Sequence, residues 1–214
     1  ALERNLVSTV VIEPHYLPCI EYFCAILRHR KIILERHEYF VKQSYRSRCY
    51  INTSQGSLML VVPTSDKNGK VAMGEIQLNP SQRWRNNHWR TIQSAYRNAP
   101  FFEYYADELH DILFQAQRYL FDLNKNLLLF CVRSLKVDVT IAETLSYQKD
   151  YPAEVVDFRN VINAKKHHST RSLYQPVQYT QVFGNAFVEN LSMLDVLFCE
   201  GSNALRSIKT SMRD

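Results

Sequence analysis

Glycine is scarce in this chain, with 5 residues in 214. That scarcity, with no G-x-G-x-x-G and no G-x-x-x-x-G-K-[ST] run, excludes the glycine-rich loops that cradle phosphates in dinucleotide-binding and P-loop folds. H-E-x-x-H and G-x-S-x-G are also absent, which removes the signatures of the zincins and of the nucleophile-elbow hydrolases. The 5 cysteines (Cys19, Cys24, Cys49, Cys131 and Cys199) are odd in number, widely spaced and never in a C-x-x-C pair. They read as reduced, mostly core thiols rather than a disulfide framework or a zinc site, so a reducing cytoplasm is the expected compartment. No apolar run approaches the about 18 residues a membrane helix needs, and Ala1–Asn5 supplies no hydrophobic secretory core. Lys and Arg number 26 against 21 Asp and Glu, a formal charge of +5. That balance permits anionic or nucleotide-linked small molecules as partners, while the sparse clustering of bases argues against nucleic acid.

What remains is an ordinary globular composition, 46% hydrophobic and 12% aromatic, and it argues against disorder. The length suits one domain, 1–214, with a strand-rich part (1–79), a helical middle (80–135) that could be a lobe of its own, and a mixed C-terminal part (136–214). The expected class is α/β or α+β, opening with a β-α-β unit in a mixed sheet. Residues 8–13 read as a buried strand because Thr9, Val10, Val11 and Ile12 favour extended structure. Ile20, Phe23, Cys24 and Leu27 recur at helical spacing, and residues 31–37 read as a second strand. Residues 47–52 and 57–64 read as a hairpin through Thr53-Ser54-Gln55-Gly56, with 65–70 as a loop and 71–78 as another strand. Ser81 can start a helix to about Asn98, and Pro100 ends that pattern. Helical periodicity then runs over 101–135, with a new start at Asp122 or Asn124. Residues 140–146 are expected to return to the sheet, 151–172 reads as a mobile loop, and 190–198 reads as a helix capped by Ser192 and stopped by Gly201.

Five segments could carry chemistry, the weakest being Asp157-Phe158-Arg159 with Asn163, Lys165 and Lys166, where the two lysines could close over an anion but solvated loop charges are the default. A loop with two prolines, Pro14 and Pro18, follows the first strand and carries His15 and Tyr16. His15 could serve as acid, base or phosphate donor, or the segment could be a stiff turn with both side chains packed; the residues alone do not favour either. In Glu35-Arg36-His37-Glu38-Tyr39, period two would put Glu35, His37 and Tyr39 on one face, with Glu35 or Glu38 tuning His37. A plain charged strand end is the alternative. Lys42, Tyr45, Arg46 and Arg48 could clamp a phosphate or carboxylate, Arg46 and Arg48 from one strand face, or could form a protective basic edge. In Arg83-Trp84-Arg85-Asn86-Asn87-His88-Trp89-Arg90, internal packing of both Trp residues outweighs base stacking, and His88 could face the pocket of His15. His167-His168 lacks partners at metal spacing, so neither metal nor other cofactor is expected.

Together these segments resemble the WbqC-like family. The resemblance rests on Ile12-Glu13-Pro14-His15-Tyr16-Leu17-Pro18 with Tyr22-Phe23, on residues 35–38 leading into 42–49, on Trp84-Arg85 with His88-Trp89, on Tyr96 and 99–103, and on 190–198 with Gly201. The 35–49 block is most similar to members from Bacteroides-type bacteria. Glu13, His15 and Glu21 depart from the residues the family often carries there. The resemblance implies surface-polysaccharide biosynthesis, O-antigen included, and an acyl-, aminoacyl- or amino-group transferase acting on an activated sugar. Under that reading His15, Glu35 and His37 would do acid–base work, and Tyr16, Lys42, Tyr45, Arg46, Arg48 and His88 would hold the substrate. A non-catalytic nucleotide-binding or scaffold protein of the same system is the alternative.

Overall fold

In the computed structural model, which describes residues 8–65, 69–184 and 186–214, the β-branched run Thr9–Ile12 is strand β1. Helix α1 (Ile20–Ile26) is buried along its whole length and returns the chain to β2 (Lys31–Leu34), which pairs parallel to β1. The hairpin follows as β3 (Arg48–Thr53) and β4 (Gly56–Val61), with Gly56 at φ 98° closing the turn that the sequence predicts. Helices α2 (Arg83–Tyr96), α3 (Phe102–Phe114) and α4 (Leu120–Leu135) form the helical middle. The short strands β5 (Thr140–Glu143) and β6 (Val155–Asp157) complete the sheet, and α5 (Met193–Glu200) and α6 (Ala204–Ser211) close the chain. Ser192 caps α5 by accepting from the Leu194 N–H. Gly201 ends it at φ 56°, where a Cβ would lie 2.5 Å from the Phe101 ring.

The fold is α/β. Parallel and antiparallel pairings occupy separate sheets: a parallel sheet in the order β5-β2-β1-β6, and the β3-β4 hairpin. The buried apolar residues form one cluster drawing on every helix.

Several local expectations are corrected. The second strand stops at Leu34, so Glu35, His37 and Tyr39 share no strand face; Glu35 is fully buried while Tyr39 is 58% exposed. Residues 71–78 form no strand but a 3-10 turn, Met73–Glu75, flanked by single bridges. The break in 101–135 falls between Phe114 and Leu120, ahead of Asp122. The stretch read as a mobile loop contributes β6 to the sheet. The loop read at 65–70 lies partly outside the described residues.

The strand order places the site. From β1 the chain adds β2 and then β5 on one side, and β6 joins β1 on the other. The order therefore reverses between β1 and β6, and a crevice opens beyond the carboxyl ends of strands at such a point.

Candidate functional site

The carboxyl ends of β1 and β6 deliver Glu13, His15 and Asn160 to that crevice. Despite the polar character of their loop, His15 and Tyr16 are buried, at 1% and 0% exposure. Tyr16 donates its N–H to the Tyr45 carbonyl (2.9 Å), which clips the Pro14–Pro18 loop to the segment before β3. Leu17 adopts φ 41° to make this turn. Apart from Lys136 at the end of α4, the described non-glycine residues with positive φ (Leu17, Gln43, Asn160 and Asn190) all lie in loops around this edge. Such strain persists only where surrounding contacts over-determine it, and it concentrates at functional sites.

Glu13 joins the cluster together. Its Oε1 lies 3.1 Å from His15 Nε2 and 3.8 Å from Arg46 Nη2, and its Oε2 accepts from the Asn160 N–H at 3.0 Å. Arg46 Nη2 also donates to Glu38 Oε1 (2.7 Å) and Asn160 Oδ1 (2.6 Å), while Asn160 Nδ2 donates to Glu38 Oε2 (3.0 Å). The His15 ring sits between Tyr22 (centroids 4.6 Å apart) and Tyr45 (5.5 Å, near-parallel). Its Nδ1 is buried with no hydrogen-bond partner among the described residues. Burial pushes the His15 imidazole below its ordinary value, against the opposing pull of Glu13. Burial also opposes ionisation of Glu13, but the His15 hydrogen bond, the Arg46 charge and the Asn160 N–H outweigh it and hold the carboxyl below its usual range. Nε2 of His15 is thus held against the Glu13 carboxylate, and Nδ1 has no hydrogen-bond partner among the described residues. That arrangement suits a general base oriented by an acid.

A second node lies at the ends of β2 and β5. Glu35 Oε1 accepts from Arg159 Nη1 (2.7 Å), and Oε2 accepts from Thr144 Oγ1 (2.7 Å) and the His37 N–H (3.1 Å). His37 Nε2 bonds the Thr144 carbonyl at 3.0 Å, and Arg159 also grips Asp157. Glu35 is therefore engaged in holding the strand ends together.

The remaining candidates separate. Arg46 precedes β3 and is buried among carboxylates, whereas Arg48 opens β3 half-buried, so they do not act from one strand face. Lys42 is exposed on the same loop. Tyr45 is half-buried over His15. His88 is buried on α2, its Nδ1 2.7 Å from Tyr16 Oη and its Nε2 3.0 Å from the Val61 carbonyl. Its contacts run to Tyr16, Val61 and Trp84 rather than to His15. Trp84 and Arg85 are buried against each other (4.4 Å), with Arg85 donating to the Leu113 carbonyl, an internal pair unlike a base-stacking stripe.

Segment 160–171 runs across this edge and is pinned at both ends. Asn160 is held in the Glu13 cluster, and Arg171 forms a bidentate pair with buried Glu21 at 2.8 and 2.7 Å. It separates two hollows. One, about 80 Å³, is lined by Ser44, Arg46, Asn160, Asn163 and Lys165 among others. The other, about 240 Å³, is lined by Tyr45, Tyr50, Lys166, His167, His168 and Glu189 among others.

The sequence profile of the WbqC-like protein family matches residues 13–172, from Glu13 through the pinned segment. The chain belongs to the WbqC-like family. It is also 27% identical over 142 residues to the uncharacterized protein Rv1507c of Mycobacterium tuberculosis, a match covering 66% of this chain and 62% of that protein. No solved structure matches. No helix among the described residues is long and apolar enough to cross a membrane.

Sequence reasoning missed several partners. Glu13 stood out only as a departure from the family pattern, yet it orients His15; Glu21, the other acidic departure, anchors Arg171. Asn160 and Glu189 gave no signal. A carboxylate two residues before a histidine on a strand-to-loop junction was the one local clue.

Proposed function

We propose that this WbqC-like protein transfers an acyl, aminoacyl or amino group to or from an activated, anionic small molecule of the nucleotide-linked sugar class, in surface-polysaccharide biosynthesis. His15 is the general base. The observation that carries this reading is its buried, unpartnered Nδ1 opposite a carboxylate-held Nε2, at the point where the strand order reverses. A buried lone pair without a donor costs stability, and reactive groups are where such a cost is retained.

In this reading Nδ1 takes the proton of the attacking hydroxyl or amine as its new bond to the transferred group forms, ionised Glu13 stabilises the imidazolium, and the bond from that group to its activating group breaks as the imidazolium returns the proton to the departing atom. Arg46 balances Glu13 and Glu38 and acts as a positioning residue. The anionic part of the substrate is assigned to the hollow beside Ser44, Asn163 and Lys165, with Lys42 and Arg48 on the approach. Because His15 is 1% exposed, substrate reaches it by displacing the Tyr45 ring that covers it. Glu35 and His37 act on strand-end geometry, one strand away.

A thermal-shift screen against nucleotides, nucleotide sugars and aminoacyl analogues tests this, run on the full chain and on His15→Gln. A ligand-specific rise in Tm that the variant loses supports the reading. No shift with any nucleotide-linked compound overturns it in favour of a scaffold.

A further inference from the structure

Folding brings to His167-His168 the third ligand that the local sequence withholds. Glu189, from 21 residues further along the chain, places one carboxylate oxygen 3.1 Å from His167 Nε2 and 2.7 Å from His168 Nε2. The three potential ligand atoms all lie within 4.8 Å of one another. From these atoms we infer a divalent transition-metal site of the zinc class, held by His167, His168 and Glu189 on the wall of the larger hollow.

The physical case has three parts. Zinc–nitrogen and zinc–oxygen bonds of about 2.0–2.2 Å put the ligands of one ion about 3 to 3.5 Å apart; the two histidine–carboxylate separations, 3.1 and 2.7 Å, already lie near that range, and the two imidazole nitrogens are within 4.8 Å of each other. Two imidazoles and one carboxylate form a donor set that favours zinc, cobalt or nickel over magnesium or calcium, which prefer oxygen ligands. The orientation of His167 is also fixed: its Nδ1 accepts the Ser169 N–H at 3.2 Å and lies 2.8 Å from Ser169 Oγ, so an ion on Nε2 moves the ring proton to Nδ1 and exchanges the N–H contact for donation to Oγ. His168 is held edge-on by Tyr174, with ring centroids 4.9 Å apart. Three protein ligands leave at least one position open for a water or an anionic group, beside the hollow they line with Lys166 and Arg171. None of the three ligands belongs to the His15 reading, though Tyr45 borders both this hollow and His15.

The test uses the full chain, stripped with a chelator and dialysed against Zn2+ or Co2+, with Mg2+ as control. The expected result is one equivalent of Zn2+ retained and a Co2+ visible spectrum of nitrogen and oxygen ligation, with no uptake of Mg2+. Glu189→Gln keeps an acceptor for His168 but removes the charged ligand, and is expected to weaken Zn2+ binding by more than about tenfold; Ser169→Ala is expected to weaken it by about tenfold. Should Glu189→Gln misfold by circular dichroism, His167→Ala decides the matter, since that side chain is 62% exposed. Failure to retain Zn2+, unchanged affinity in the folded variants, or a sulfur-to-cobalt charge-transfer band placing the ion on a cysteine would each overturn the site.

Discussion

His15 and His88 are both buried, both touch an aromatic ring and both were candidates by sequence, yet the structure gives them opposite characters. Both nitrogens of His88 are occupied, by Tyr16 Oη and the Val61 carbonyl. This ties α2 to the hairpin and to the Pro14–Pro18 loop, so His88 holds the shape of the site. His15 has one nitrogen bound to Glu13 and the other without a partner. Burial lowers both imidazoles, His88 to about 4, and so does not tell them apart. Satisfaction of the two nitrogens does. A saturated buried histidine is a strut; the idle Nδ1 is what makes His15, and not His88, the base in the proposed function.

The comparison can be broken hardest at Arg46. Arg46→Met leaves Glu13 and Glu38 buried without their cation, and an unfolding free energy lower by about 3–5 kcal/mol is expected in urea denaturation. A near-neutral result would mean that the cluster beneath His15 is solvated.

His88 should govern acid stability. With a folded value of about 4 and an ordinary one of 6.5, the unfolded chain binds the proton first as pH falls through that window. Stability is then complete above 6.5 and falls toward 4 by up to about 3 kcal/mol. His88→Gln should flatten that part of the slope, which chemical denaturation at stepped pH reads directly. At neutral pH the same variant should lose about 1–3 kcal/mol through an unpaired Tyr16 hydroxyl or Val61 carbonyl, with ligand-induced shifts intact.

His15→Gln is expected to do the reverse: a change of about 1 kcal/mol in stability, with loss of the ligand shift. Equal behaviour of the two variants in both assays would erase the distinction. The last test is at Tyr45. Tyr45→Ala removes its ring contacts with His15 and Tyr50, each worth about 0.5–1.5 kcal/mol, and admits water to His15. The His15 titration, followed by NMR of its ring protons, should then move up toward the ordinary 6.5.

Legibility in the sequence followed the range of the cause. β1, α1 and the hairpin were readable because β-branched runs, helical spacing and a Gly56 turn are local signals. So were the Ser192 cap and the Gly201 stop. β6 was hidden because it is three residues long and earns its place only by pairing with β1. Residues 71–78 misled because alternating apolar residues suit a strand but here pack as a turn under α4, with Leu120 N–H bonded to the Ile76 carbonyl. The His15 loop was legible as a candidate, but its chemistry was not.

By itself the sequence determined the family, the opening β-α-β unit and the stiff proline-bounded loop that carries His15, since these rest on neighbours within a few residues. Tertiary structure alone decided which candidates would meet. It paired Arg46 with Glu38 and Asn160, confined Glu35 to Arg159, sealed His88 behind Tyr16 and delivered Glu189 to two histidines. Those outcomes depend on strand order and on contacts spanning up to 124 residues, as between Glu35 and Arg159. Once such charges are buried they must find partners wherever the fold supplies them, a demand that no local spacing records.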